Sequence, residues 1–517
     1  RTAVEPLRKL ARESKSPLAR LHALWTLDGL AALEDDLVER ALRDAEPGLR
    51  EHGLRLAEPR LAKSAALREA VLRLADDDEP RVRFQAAFTL GELADDRALD
   101  ALARIAVRDS ADRWVRIAVL SSVPESGGKL LARLHAEYRD FLDKPGNGAV
   151  AFIRQLTAMV GERRHSEEMM AVLRLVTANA GDRPSRWQLA ALAGLGETLR
   201  RSRGSMAPWL RDAEVAARLK VWAARAVEIA AATDRDLAER LDALTLLALL
   251  PSEAEAARLK ELLRPQQPQQ VQAAAVRVLA ALPGREAVAG LLADWDTRTA
   301  PLRREILSAL LARADRAGLL LDALERGEVR LSELDAARRD QLLRYPDKAI
   351  SERAKKLFET EKPTSQQKVV AEWTPKVLAL TGDAVRGQQV YAAHCASCHR
   401  LHGQGVAVGP DLATVSSRAK EALLVDILDP NRAIDPAYVD YVLVTQNGQV
   451  VNGIIAAETA TSVTLRRAER QETTVLRKDI AEMRSTGVSL MPEGVEKSLT
   501  PQDLADLLEL LRRERLH

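Results

Sequence analysis

The feature that most constrains this chain is a recurring turn. Pro17, Pro47, Pro80 and Asp112 each open a segment, about 30 to 33 residues apart, a period in the range of helical-pair repeats. The segments read SPLARLHALWTLDGL, EPGLREHGLRLAE, EPRVRFQAAFTLGEL and DRWVRIAVLSSV, with apolar residues three and four positions apart. Proline suits the first helical turn, where its missing N–H has no partner to lose. One such helix pair cannot bury its apolar stripe alone, so neighbouring pairs must stack into a solenoid. Related helices return at RPSRWQLAALAGLGETL, LAERLDALTLLALL, PQQVQAAAVRVLAAL and TAPLRREILSALLAR. The stretch from Pro124 to Pro184 breaks the period, and its DKPGNGA loop reads as an irregular insertion. The expectation is a mainly α chain with a solenoid over residues 1–358.

Composition agrees with this reading. Apolar residues make up 46% and aromatics only 3%, which favours repeated helices over a β-sandwich. The segment EPRVRFQAAFTLGEL resembles the short, HEAT-like type of HEAT repeat, and the resemblance is strongest over the first four units. With 77 basic and 75 acidic residues the net charge is +2, which argues against a nucleic-acid binder and for a salt-bridged helical surface. No apolar run of about 18 residues is present to span a membrane. No signal peptide is visible, and a chain opening at Arg1 inside a helix reads as part of a longer or processed polypeptide.

Near residue 360 the character changes. ETEKPTSQQKVVAEW is polar and shows no obvious helical period, so residues 359–376 read as a linker. Residues 377–517 form the next unit. A helix is expected from Gly382 to His394 and another from Ser417 to Leu428, separated by the loop HGQGVAVGPDL. Alternation by two, with Asn447-Gly448 between YVDYVLVT and QVVNGIIA, predicts a small β insert over about 438–480. Thr500, Pro501 and Asp503 mark the start of a last helix.

Within this unit lies HCASCHR, residues 394–400, holding the only two cysteines in 517 residues. C-x-x-C-H is the attachment pattern for c-type haem. Two thiols add across two vinyl groups, the spacing lets Cys395 and Cys398 reach both, and His399 then lies beneath the iron. Zinc would need further ligands at ligand spacing, and no other cysteine exists. A thioredoxin-like pair would want a βαβ context, whereas this one follows an amphipathic helix. Random placement of two cysteines and eight histidines gives this arrangement roughly once in 16,000. Haem c commonly takes a methionine sulfur opposite the histidine. Four of the six methionines lie in the solenoid region, leaving Met483 and Met491. Met491, in the Pro-containing loop SLMPEG, is the stronger candidate. Met483 reads as a packed or exposed residue near the end of the β insert, and His394, His402 and His517 are poorly placed to cross the haem plane.

GQQVYAAHCASCHRLHGQGVAVGPDL resembles the opening half of a class I cytochrome c. That resemblance makes Gly387 and Tyr391 the positions where the first helix crosses the last. It makes Pro410 the residue whose carbonyl orients His399. ILDPNRAIDPAY, VNGIIAAET and SLMPEG, in that order before a last helix, resemble the haem-binding domain of the Planctomycete/Verrucomicrobia-type multidomain cytochromes over about residues 377–517. In such proteins the module often follows HEAT-like repeats, which in turn often follow a propeller resembling pyrroloquinoline quinone-dependent sugar dehydrogenases. The opening LARLHALWTLDGLAAL is also similar to their repeat region, although no propeller occurs here. Leu510 stands where that family tends to carry an aromatic.

These readings imply an electron-transfer protein with one covalent haem c, ligated by His399 and Met491, on a helical scaffold. It would pass electrons from a dehydrogenase to a cytochrome or terminal oxidase. Two alternatives stay open. The chain is the electron exit of a quinone-dependent sugar or alcohol dehydrogenase, or it is a haem-bearing scaffold or sensor whose solenoid docks a protein partner. A peroxidase would need an open iron site and acid–base residues that are not apparent. Arg418, Asn431, Arg432 and Tyr438 are secondary candidates for the haem propionates or edge, against the plainer reading of surface and turn residues. The six tryptophans of the repeat region read as packing between repeats. Covalent haem and the lack of spare thiols imply a periplasmic or otherwise exported protein.

Overall fold

The computed structural model describes all residues except 1, 94, 179–180, 202–205, 251–252, 283–284, 360–363, 433, 469–470 and 514–517. By packing the chain divides into two units, Arg1–Leu250 and Pro251–His517.

In the first unit the turns do what their residues dictate. Ser16 accepts the Ala19 N–H, Asp112 accepts those of Trp114 and Val115, and Pro47 and Pro80 open their helices. The apolar stripes are buried, with Leu24, Leu27, Leu54, Val82 and Leu90 essentially inaccessible. An arginine ladder, not foreseen from sequence, links successive repeats within this unit. Arg20 forks onto Asp44 at 2.8–3.0 Å, Arg50 onto Asp77 at 2.6–2.7 Å, and Arg83 onto Asp109 at 2.6 Å. Each also donates to a loop carbonyl before its own helix. Asp44 and Asp77 in turn accept the N–H of Glu46 and Glu79, so one carboxylate joins the repeat behind to the turn ahead. The 124–184 stretch remains helical, with Gly127–Glu137, Asn147–Arg163 and Ser166–Thr177. Trp187 and Trp222 are buried as packing residues should be, but Trp25 and Trp114 are exposed.

In the second unit further helices precede a four-helix cluster and a sheet. The stretch read as a linker is not one. Residues 360–363 lie outside the described residues, but Ser365–Leu378 is a helix opened by a reciprocal Thr364–Gln367 cap. Its Val370, Trp373 and Val377 pack on a core with Tyr391, Leu424, Leu428, Leu504, Leu507 and Leu508. The apolar spacing was masked by the polar QQK run and by Pro375 inside the helix. The following helix is Ala384–His394, capped by Asp383, and the next is Lys420–Leu428. The last, Pro501–Leu511, starts with the Thr500–Asp503 box.

The five-stranded antiparallel sheet has the spatial order 472–476, 462–466, 450–458, 439–445, 480–489. Val444 faces Val450 across the Asn447-Gly448 turn, where Gly448 adopts φ +83. The sheet runs beyond the predicted end at 480, because Ile480–Ser489 is its last strand. Tyr441, Leu443, Val463, Leu465, Ile480 and Met483 share one core with Ala300 of a repeat helix. The buried Tyr441 hydroxyl accepts the Ala300 N–H. Arg477, buried, pairs with Glu458 and donates to the Pro265 carbonyl, while Gln266 donates to the Ile480 carbonyl at 3.0 Å.

Candidate cofactor site

The helix Ala384–His394 and the turn that leads into it pass Pro501–Leu511 at two glycines. A Cβ on Gly382 would lie 2.2 Å from the Ala505 carbonyl oxygen, and one on Gly387 2.2 Å from that of Asp506. Only hydrogen fits there. Asp506, buried, fixes the crossing. It takes both Arg386 contacts at 2.7 and 2.8 Å, the Asp383 N–H at 2.7 Å and the Gln502 amide at 2.9 Å. The Arg386 guanidinium holds its carboxyl below the usual carboxylate range. Leu510 is buried in this crossing, its Cβ 3.0 Å from where a side chain on Gly387 would begin.

Cys395 closes that helix, and the chain then wraps. His399 N–H donates to the Cys395 carbonyl at 2.8 Å. The Val406 N–H reaches Ala396, and the Val408 and Gly409 N–H groups both reach Cys398, at 2.8–3.0 Å. The buried Tyr391 shares its hydroxyl proton between the His399 and Gln404 carbonyls, each at 2.9 Å. Gly405, at φ +86, passes so close that a Cβ would sit 2.2 Å from the His399 carbonyl oxygen.

His399 Nδ1 lies 2.9 Å from the Pro410 carbonyl oxygen. This contact sets the tautomer with the proton on Nδ1 and leaves Nε2 with a free lone pair. Burial pushes the imidazole pKa down, partly opposed by the Pro410 bond, so the ring is neutral, the form a metal binds. Gly409 lies flat on the ring, since a Cβ there would meet Cε1 at 2.5 Å. Cys395 and Cys398 are free thiols, both half-buried. Burial, aided by Cys398, pushes the Cys395 thiol up to about 11.

The residues fit a covalent porphyrin. They offer two unpaired thiols at the vinyl spacing and a neutral imidazole with one nitrogen held and the other open. Cys395, Leu412, Val415, Ile427 and Val495 add apolar surface that packs on the core yet is only partly covered. Met491 is half-buried, and its N–H donates to Ser489 Oγ at 3.1 Å. Met483 is buried inside the sheet core. Arg418 pairs with Asp426, as a surface residue would. Asn431 bonds at long range to Ser489 and Glu493, which no sequence signal announced.

Residues 384–452 match the family described as Cytochrome c, and residues 33–123 match the family described as HEAT repeats. A cytochrome c-553-like protein of Synechocystis is 40% identical over 53 residues, 10% of this chain and 50% of that protein. The chain thus spans half the length of this relative. Among solved structures, Kap121p bound to Pho4p aligns over 73% of this chain and 43% of that one, with TM-score 0.42 and 14% identity. The CpcE–CpcF phycocyanin lyase complex of Nostoc aligns over 54% of this chain and 95% of that one, with TM-score 0.22 and 15% identity. The chain carries a cytochrome c domain in its C-terminal part and HEAT repeats in its N-terminal part.

Proposed function

We propose that a cytochrome c domain built on helical repeats makes this chain an electron-transfer protein with one covalent haem c, held through thioethers at Cys395 and Cys398 and ligated by His399 and Met491. The observation that carries this reading is the His399–Pro410 contact of 2.9 Å directly behind C-x-x-C-H. When bound, the haem supplies a one-electron iron couple whose potential a thioether ligand raises.

The chain's own residues do the rest. Pro410 and Gly409 fix the imidazole plane, and Tyr391 and Gly405 fix the backbone that carries it. A pre-set ring lowers the rearrangement needed when charge on the metal changes. We assign the protein to the class of the Planctomycete/Verrucomicrobia-type multidomain cytochromes. Its donor is a dehydrogenase, its acceptor a cytochrome or terminal oxidase, and its compartment the periplasm or an equivalent exported space. The repeats serve as the scaffold and offer a surface for a protein partner.

The test is intact mass with a reduced-minus-oxidised spectrum, on the full chain matured with haem-attachment machinery. One haem per chain and a low-spin His/Met spectrum are expected, with loss of the methionine–iron charge-transfer band in Met491→Ala. A mass equal to the polypeptide refutes haem attachment; a band that survives Met491→Ala refutes the ligand assignment.

A further inference from the structure

Asn431 sits half-buried just beyond the helix Lys420–Leu428 and reaches across to the segment holding Met491. Its Oδ1 accepts the Ser489 N–H at 2.7 Å, and its Nδ2 donates to Glu493 Oε1. Between those two anchors, Ser489 Oγ accepts the Met491 N–H. We propose that Asn431 is the positioning residue of the distal side, stapling both ends of the turn 489–493 and so fixing where Met491 presents its sulfur. This rests on the reading of Met491 as axial ligand.

The chemistry asks for an amide. One end of the turn offers a donor and the other a carboxylate acceptor, and among short side chains asparagine both accepts and donates. Aspartate would accept at Ser489 but set a second carboxylate against Glu493. The staple is rooted on firm ground. Leu428 gives its carbonyl to the Gln366 amide at 3.0 Å, and the Arg432 N–H returns to Asp429 at 3.1 Å. The strand that delivers the turn is held independently. Ser489 pairs with Val439, Arg330 reaches the Thr486 carbonyl at 3.4 Å, and Gln266 reaches Ile480. Methionine is unbranched with three rotatable bonds, so its side chain alone selects no position and the backbone turn must do so.

The test is imidazole binding to the oxidised, haem-loaded full chain, together with amide exchange at Ser489. Asn431→Ala removes two hydrogen bonds and is expected to tighten imidazole binding about 5- to 30-fold, by populating the open distal side. Ser489 exchange should accelerate by a similar factor, also in a haem-free Cys395→Ala/Cys398→Ala chain. Asn431→Asp keeps the acceptor for Ser489 but repels Glu493, so it should also tighten imidazole binding while accelerating Ser489 exchange less than Asn431→Ala does. Adding Glu493→Gln to Asn431→Asp restores one acceptor and one donor and should bring both readouts back to wild type, which a merely volume-filling role would not do. Wild-type imidazole affinity and Ser489 exchange in Asn431→Ala overturn the proposal, as does equal acceleration of amides in Pro501–Leu511, which would mean general loosening. Failure of the ligand reading is separate: it shows as a charge-transfer band unchanged in Met491→Ala, whatever Asn431 does.

Discussion

Gly409→Ala should damage the histidine side of the site out of proportion to one methyl group. The new Cβ would stand 2.5 Å from Cε1, 2.8 Å from Nδ1 and 3.0 Å from Nε2 of His399. Ordinary carbon contacts begin near 3.5 Å, so ring or loop must move by about 1 Å. The loop is stitched by the Val406, Val408 and Gly409 N–H bonds, and the ring is pinned on Pro410. Moving the ring that far breaks the Pro410 bond, at a cost of about 1 kcal/mol, and overpacking adds about 1–3 kcal/mol. The sum of about 2–4 kcal/mol corresponds to a loss of local stability of about 30- to 800-fold. Amide exchange at Val406, Val408 and Gly409 reads it directly, against Gly146→Ala, where a Cβ meets nothing within 4 Å. With its Pro410 bond gone, the haem-free imidazole should also titrate at lower pH, because that bond is what opposes burial. Exchange and imidazole titration both unchanged from wild type would refute the claim that Gly409 and Pro410 clamp the ring.

Two further outcomes are expected. Arg477→Met leaves Glu458 buried without its partner and should cost about 3–5 kcal/mol in the sheet, whereas the double change with Glu458→Met should recover most of it; urea unfolding of the two variants beside wild type checks this. Asp506 has a folded-state pKa below its unfolded value, so its contribution is present above about pH 4 and fades as pH falls through the folded value. Asp506→Asn should therefore be less stable than wild type at neutral pH and converge with it in acid, measured by urea midpoints from the haem absorbance.

The repeats were legible because proline turns and apolar spacing are local signals, and the haem-attachment motif because its chemistry is compressed into five residues. What escaped was carried by partners far away in sequence. Arg20, Arg50 and Arg83 look like solvated helix residues until the aspartates one repeat on are brought beneath them. The helix at Ser365–Leu378 shows its face only once the core it covers exists. The last strand was cut short because its buried residues fall at Ile480, Met483 and Ser485, an interval of three and then two. A register shift opposite Val444/Thr445 produces that break in alternation, and no two-residue period survives it. The proximal side, His399 with Pro410, could be named from a resemblance. The Asn431 bonds span 58 and 62 residues and have no local trace.

The Tyr441 hydroxyl, closed over by the Ala300 backbone, carries a practical meaning for anyone who would trim this molecule. Severing the chain just ahead of the cytochrome segment would leave an aromatic ring, a guanidinium and the neighbouring carboxylate facing solvent they were shaped to avoid. A fragment that keeps these contacts begins near residue 251 and takes along the segments that hold Pro265 and Ala300. Here the cytochrome c domain and the helices of its own unit are one piece of masonry.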